Sequence, residues 1–225
     1  MSWDFFVQDL STAETTQLVN PKAMQFNLSL AETDTGACEV SIHDPAVSVL
    51  FKDKPQIDLI GVRNDQVLFR GRIMTRRGDY QADKVSISAV GYKEMLNKKF
   101  LLVSDTDVVS KTKDYADMDA SDIAWDLINL VQTRVNGSLN IYRGNTPITA
   151  NRDREYPQGQ VIAEAINKLG AAQQDSSGGD IFEWYLEPRN TMDGFNFHTY
   201  AVGRGNLTSS YQPTYGGAIQ ECTEV

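Results

Sequence analysis

Two histidines, two cysteines and a scatter of carboxylates are the groups in this sequence able to react or to hold a metal. Hydrolysis needs a nucleophile beside a base, or two poised carboxylates. His43 ends a strand-like run before Asp44-Pro45, and His198 sits within an alternating run. Neither has a serine elbow or a Cys–His motif nearby, so both read as strand or surface histidines. Cys38 and Cys222 are far apart and match no metal-ligand spacing. They read as two reduced thiols in a protein assembled inside a cell, with a disulfide between them as the alternative. The acidic stretch 105–122 invites a calcium loop. Counted from Asp105, position six is Ser110 and position twelve is Ala116; counted from Asp117, they are Asp122 and Ile128. Both registers lack the glycine and the bidentate glutamate that such a loop requires. A solvated acidic linker leading into a capped helix fits the stretch better. Gly203-Arg204-Gly205 lacks the third glycine and the strand-to-helix setting of a phosphate loop. The expectation is a chain with no catalytic residue, no metal and no cofactor.

Two other groupings suggest binding. Arg63, Arg70, Arg72, Arg76 and Arg77 fall within fifteen residues of an acidic chain. They form either a solvated strand face or an interface that meets the acidic segment of a neighbour. Trp184, Tyr185, Phe195 and Tyr200 could form a platform for a carbohydrate or a receptor. Their spacing is also what a hairpin packed on a helix pair requires, and the core reading is preferred. Arg77-Gly78-Asp79 is ordinary turn chemistry.

The elements that must position these residues are organised around the stretch 57–100. Residues 57–62 are a nearly continuous apolar run, as in a strand covered on both faces. Asn64-Asp65 makes the turn. Val67, Phe69, Gly71 and Ile73 alternate with Arg70, Arg72 and Met74, and Arg77-Gly78-Asp79 is expected to turn the chain again. Val85, Ile87 and Ala89 then alternate with Ser86 and Ser88. The apolar set should fill an interior, while Arg70, Arg72, Ser86 and Ser88 form the opposite face.

Earlier strands are expected over 3–10, 15–19, 24–30 and 38–42, with 47–51 a short helix or a further strand. About seven short strands with frequent turns mark an antiparallel sandwich or barrel. After residue 100 the character changes. Asp119 can cap a helix with the stripe Ile123, Leu127, Leu130 and Val131. Residues 139–142 read as a strand and 144–159 as loop. Val161, Ile162, Ala165, Ile166 and Leu169 give a second amphipathic helix, and 173–179 a loop. The runs 180–187 and 195–202 pair as a hairpin, 203–206 turns, and 218–225 begins a strand without a following partner.

The chain has 225 residues, 41% of them hydrophobic and 9% aromatic, enough for a real core. Its net charge of −9 argues against gripping nucleic acid by the phosphates, but suits a protein that DNA passes without sticking. No apolar run approaches the ~18 residues of a membrane span, and no signal-like start is present. A soluble chain made in the cytoplasm is expected.

The pattern Val67-x-Phe69-x-Gly71-Arg72-Ile73, then Val85 to Tyr92 and Met95 to Phe100, resembles the N-terminal portion of bacteriophage tail-tip or baseplate hub proteins, a family of minor tail proteins of long-tailed phages. Asp122–Ala124, Arg154–Ile166 and Ile181–Leu186 continue the likeness, which spans most of the chain. The resemblance implies an α+β, mainly antiparallel β fold. A tube-type β-barrel (residues 1–100) would be followed by a mixed α/β peripheral domain with two amphipathic helices and a hairpin (101–205). Residues 206–225 would be a linker and the first strand of a second barrel; that last strand either returns to the first sheet or opens a barrel continued beyond this sequence.

The resemblance also implies a role. A homotrimeric hub ring would join the six-fold tail tube to the three-fold tip and let DNA pass. The chain would not be an enzyme. Its partners would be copies of itself, the distal tail protein or tail tube, the tape-measure protein, and tail fibre or tip proteins. It would reside in the virion tail tip after assembly in the bacterial cytoplasm. The face of Arg70, Arg72, Ser86 and Ser88 would meet a neighbouring subunit or the lumen. Two alternatives stand beside this reading: a distal tail protein forming a hexameric ring, and a receptor- or carbohydrate-binding tail module.

Overall fold

The computed structural model describes residues 3–28, 34–52, 56–103, 111–134, 137–170 and 182–201. Seven strands come first: β1 (Trp3–Asp9), β2 (Glu14–Gln17), β3 (Lys22–Asn27), β4 (Thr35–Val40), β5 (Ile57–Arg63), β6 (Gln66–Asp79) and β7 (Lys84–Gly91). They form one antiparallel sheet in the order β2-β1-β5-β6-β7-β4-β3. The turn at Asn64 and Asp65 has φ of 51° and 61°, the left-handed pair that matches the twist of a tight hairpin. Helix α1 (Val47–Leu50) settles the open choice for that segment.

Alternation places Phe5, Val7, Cys38, Leu59, Phe69, Val85 and Ile87 together in one buried cluster. Phe26, on edge strand β3, reaches over it. Its ring lies 5.5 Å from Phe5, 5.6 Å from Trp3 and 4.8 Å from Phe69. The sheet is therefore rolled around an aromatic stack. Among the described residues β2 and β3 remain edges, so the hydrogen-bond ladder is not closed into a barrel.

Three details depart from the alternation, the first being that Met74 is an extra residue between the Ile73–Ala89 and Thr75–Ser88 pairs, which brings Thr75 and Arg77 onto the face of Arg70 and Arg72. Gly61 pairs with Phe69 but Val62 pairs with Val67, leaving Leu68 as an extra residue. This bulge reverses the parity of the strand. Val67 therefore joins Ile60 and Val62 on the outer face rather than Phe69 on the inner one. In addition, Arg77-Gly78-Asp79 does not turn: β6 runs through to Asp79, which pairs with Lys84.

The second half contains α2 (Tyr92–Asn97), β8 (Thr112–Asp119), α3 (Ala120–Gln132), β9 (Ile141–Arg143), β10 (Asn151–Pro157), α4 (Ile162–Gly170), β11 (Phe182–Pro188) and β12 (Phe195–Ala201). Both expected helices form. Asp119 Oδ1 accepts from the Ser121 N–H at 2.9 Å and caps α3. Ile123, Leu127, Ile128 and Val131 of α3 meet Ile162, Ile166 and Leu169 of α4 in a separate core, with Leu130 at its margin. The expected hairpin forms as β11–β12, and β9 adds to it in parallel.

The acidic linker and the loop 144–159 need correction: they contain β8 and β10, which pair as a two-stranded ribbon. Each strand buries one large side chain, Tyr115 or Tyr156, and the rest is mostly polar, so the alternation carried too little apolar signal to read as strand. Within the ribbon Asp114 lies directly opposite Glu155. The turn expected at 203–206, the loop 173–179, the strand at 218–225 and Cys222 lie outside the described residues. Among the described residues no helix is long and apolar enough to cross a membrane. The architecture is α+β and mainly antiparallel, as expected.

Gly71 makes the rolled sheet testable. A Cβ there would lie 2.7 Å from both the Phe69 ring and the Val90 carbonyl oxygen, whereas at Gly78 the nearest atom is 3.9 Å away. Gly71→Ala is expected to lose about 2 kcal/mol in urea unfolding, the usual size of an overpacking defect, and Gly78→Ala to stay close to wild type.

Candidate interface on the outer face of the sheet

Strand parity puts Asp58 of β5 and Arg70 and Arg72 of β6 on the outer face. Asp58 is fully buried. Its Oδ2 accepts from Arg70 Nε at 2.9 Å and from the Tyr92 hydroxyl at 2.7 Å, and its Oδ1 accepts from Arg72 Nε at 2.9 Å. Arg70 also donates to Gln8 Oε1 at 2.9 Å and to the Met192 carbonyl at 2.7 Å. Its guanidinium lies 5.5 Å from the Phe195 ring, and Phe195 in turn is 4.3 Å from Tyr92. Next to the cluster, Val67 N–H donates to Asn190 Oδ1 at 2.9 Å.

The cluster thus joins three strands of the sheet to α2 and to the β11–β12 turn. Burial, with the Asp58 carboxylate beside it, pushes the Tyr92 hydroxyl well above its ordinary range. Burial opposes the charge of Arg72, but Tyr92 and Asp58 outweigh it and raise its proton affinity.

The four residues singled out from the sequence therefore divide. Arg70 is sealed within the chain, and Arg72 is 19% exposed. Ser86 and Ser88 lie on the other half of the same face, which the second half of the chain leaves half-open. There the cross-strand rows are Ala37–Ser88–Thr75 and Glu39–Ser86–Arg77. The Ser88 and Thr75 hydroxyls bond to each other. Ser86 and Lys84 both donate to Glu39, at 3.2 and 2.8 Å. The Lys84 hydrogen bond holds the Glu39 carboxyl below its usual range. The row Ala37–Ser88–Thr75 is small and flat, and the row Glu39–Ser86–Arg77 is polar and charged.

Sequence reasoning missed Asp58. The available signal was a lone carboxylate inside an otherwise apolar strand, which demands a counter-ion on the same face. Asn190 and Met192 carried no local signal.

The remaining candidates do other work. Ser41, His43 and Asp83 share an open groove of about 760 Å³ at the end of β4 and β7. Ser41 Oγ donates to Asp83 Oδ2 at 3.3 Å, and the His43 side chain is 82% exposed with Nε2 3.6 Å from the same carboxylate. The serine is thus bonded to the acid and not to the imidazole, so this arrangement does not activate it. Trp184 and Phe195 face the core, while Tyr185 and Tyr200 are half-buried. Trp184 Nε1 donates to Asn167.

No protein-family model matches the sequence, and no curated protein does. Solved structures do match. The tail protein from Neisseria meningitidis MC58 aligns with a TM-score of 0.53 at 13% identity, over 92% of this chain and 54% of its own. The 43 kDa tail protein of prophage MuSo2 from Shewanella oneidensis aligns with a TM-score of 0.50 at 10% identity, over 88% of this chain and 56% of its own. The fold is thus one found in phage-tail-type proteins. The chain spans about half the length of the solved tail proteins it matches.

Two outcomes are expected. Asp58→Asn leaves Arg70 buried without its carboxylate and should cost roughly 3–5 kcal/mol in denaturant unfolding. Burial pushes the Cys38 thiol up to about 12, so native Cys38 should resist iodoacetamide at pH 8 and react once the chain is unfolded, as read by peptide mass spectrometry.

Proposed function

We propose that this chain is a structural component of a phage tail tip, one of three copies in a hub ring that joins a six-fold tube to a three-fold tip. The observation that carries this reading is the fold, shared with two tail proteins over about nine-tenths of the chain. Residues 1–100 would supply the tube-type domain, 101–205 the peripheral domain, and 206–225 the lead into a second tube-type domain. The flat half-face with Ser86 and Ser88 would meet a neighbouring copy. Arg72 would border that contact and Arg70 would brace it from within.

The net charge of −9 favours a tube that lets DNA slide, since phosphates find few cations to bind. The distal tail protein or tube above, the tape-measure protein within and the tip proteins below would be its partners. Its role is assembly rather than turnover, in a virion built in the bacterial cytoplasm.

Copy number tests the hub against the distal ring: native mass spectrometry of the assembled tip should give three copies, and six would overturn the hub. Ser88→Trp tests the face. The substitution points outward and should leave the monomer folded. It should abolish ring assembly by light scattering if the face meets a neighbour. Intact rings with slowed DNA ejection would assign the face to the lumen instead.

A further inference from the structure

His198, on β12, has both ring nitrogens engaged. Nδ1 accepts from the Asn145 backbone N–H at 2.9 Å, and Nε2 lies 3.0 Å from Glu187 Oε2. Only the neutral tautomer carrying its proton on Nε2 satisfies both contacts: Nε2–H donates to the carboxylate and bare Nδ1 accepts from the amide. Tyr185 stacks on the ring at 5.0 Å. The backbone at Gly144 comes so close that a Cβ there would lie 2.6 Å from the ring. The His198 side chain is 11% exposed and has little room to turn aside.

Asn145 is the second residue of the segment 144–150, which connects β9 to β10. The Asn145 carbonyl accepts from the Thr199 N–H at 3.0 Å, and the Gly144 N–H donates to the Phe197 carbonyl at 2.9 Å. At the far end, the Thr149 N–H donates at 2.6 Å to Asp119, the cap of α3. Between these ties Ile148 is 91% exposed.

We infer that His198 is a proton-operated latch for the segment 144–150. A proton on Nδ1 would point at the Asn145 N–H, donor against donor, so the imidazolium and the Asn145 contact exclude each other. The hydrogen bond with His198 holds the Glu187 carboxyl below its usual range, so it stays charged where histidines titrate. Other charged groups on the surrounding elements are already paired: Glu183 of β11 with the Tyr200 hydroxyl, and Arg143 of β9 with Asp122 of α3. The released state binds one more proton than the latched state. By linkage the latch is favoured at high pH and is lost as pH falls through the titration of His198, by up to about tenfold per pH unit. This inference does not rest on the tail-tip reading.

The test is NMR of the ¹⁵N-labelled full chain from pH 8 to pH 5. His198 ring nitrogen shifts report proton uptake, and Asn145 amide exchange, corrected for its intrinsic rate, reports the latch. Asn145 protection should fall as pH is lowered, by up to about tenfold per unit, while His198 takes up its proton. His198→Gln, which accepts a hydrogen bond but does not titrate, should give pH-independent protection. Protonation of His198 without loss of Asn145 protection overturns the latch. If His198→Gln fails to fold, the wild-type titration decides alone.

Discussion

A carboxylate held between two guanidiniums, away from water, is the constraint on which the rest of this fold depends. Removing such ions from water costs several kcal/mol each, and their attraction repays that only when every remaining donor and acceptor is also matched. Here the matching groups come from far apart in the sequence: Gln8 from the first strand, Tyr92 from the first helix turn of the second half, and the Met192 carbonyl from a distant hairpin. Neither half of the chain can complete the cluster alone. Charge geometry therefore sets the register between the sheet and the second half, and the Tyr92–Phe195 pair shields it from solvent. That such a cluster fixes one docking arrangement, and not merely an affinity, is its best-supported general use.

The inner face of the sheet works by different physics. No ion is needed there. An edge-strand phenylalanine lies over two others, and glycines at 36 and 71 leave room for the Phe69 ring against the backbone. Rolling the sheet buries these rings without closing the hydrogen-bond ladder. One face of the same strands thus obeys packing and the other obeys charge.

The first half was legible because its strands alternate clearly and their turns carry Asn-Asp or Asp-Pro. Both helices were legible because Asp119 caps one and each carries an apolar stripe. What escaped has physical causes. The ribbon of β8 and β10 shows one buried tyrosine per strand, below the threshold at which a period is visible. Val67 changed faces through a single-residue bulge. Arg70 reads as a surface cation until Asp58 is noticed across the ladder, and its other partners are more than 60 residues away in sequence. Tertiary contacts of that span leave no local trace.

The ribbon has one further property. Asp114 and Glu155 face each other directly, and both are exposed. Like charges placed so repel, and the repulsion acts through solvent within reach of dissolved ions. At an ionic strength of 0.1 M the screening length is roughly 10 Å, and it lengthens as the medium is diluted. Most surface ion pairs weaken as salt rises; this pair of strands should tighten. The ribbon is thus held less firmly in dilute solution than in brine, a medium dependence of opposite sign to that of the ion pairs elsewhere on the same surface.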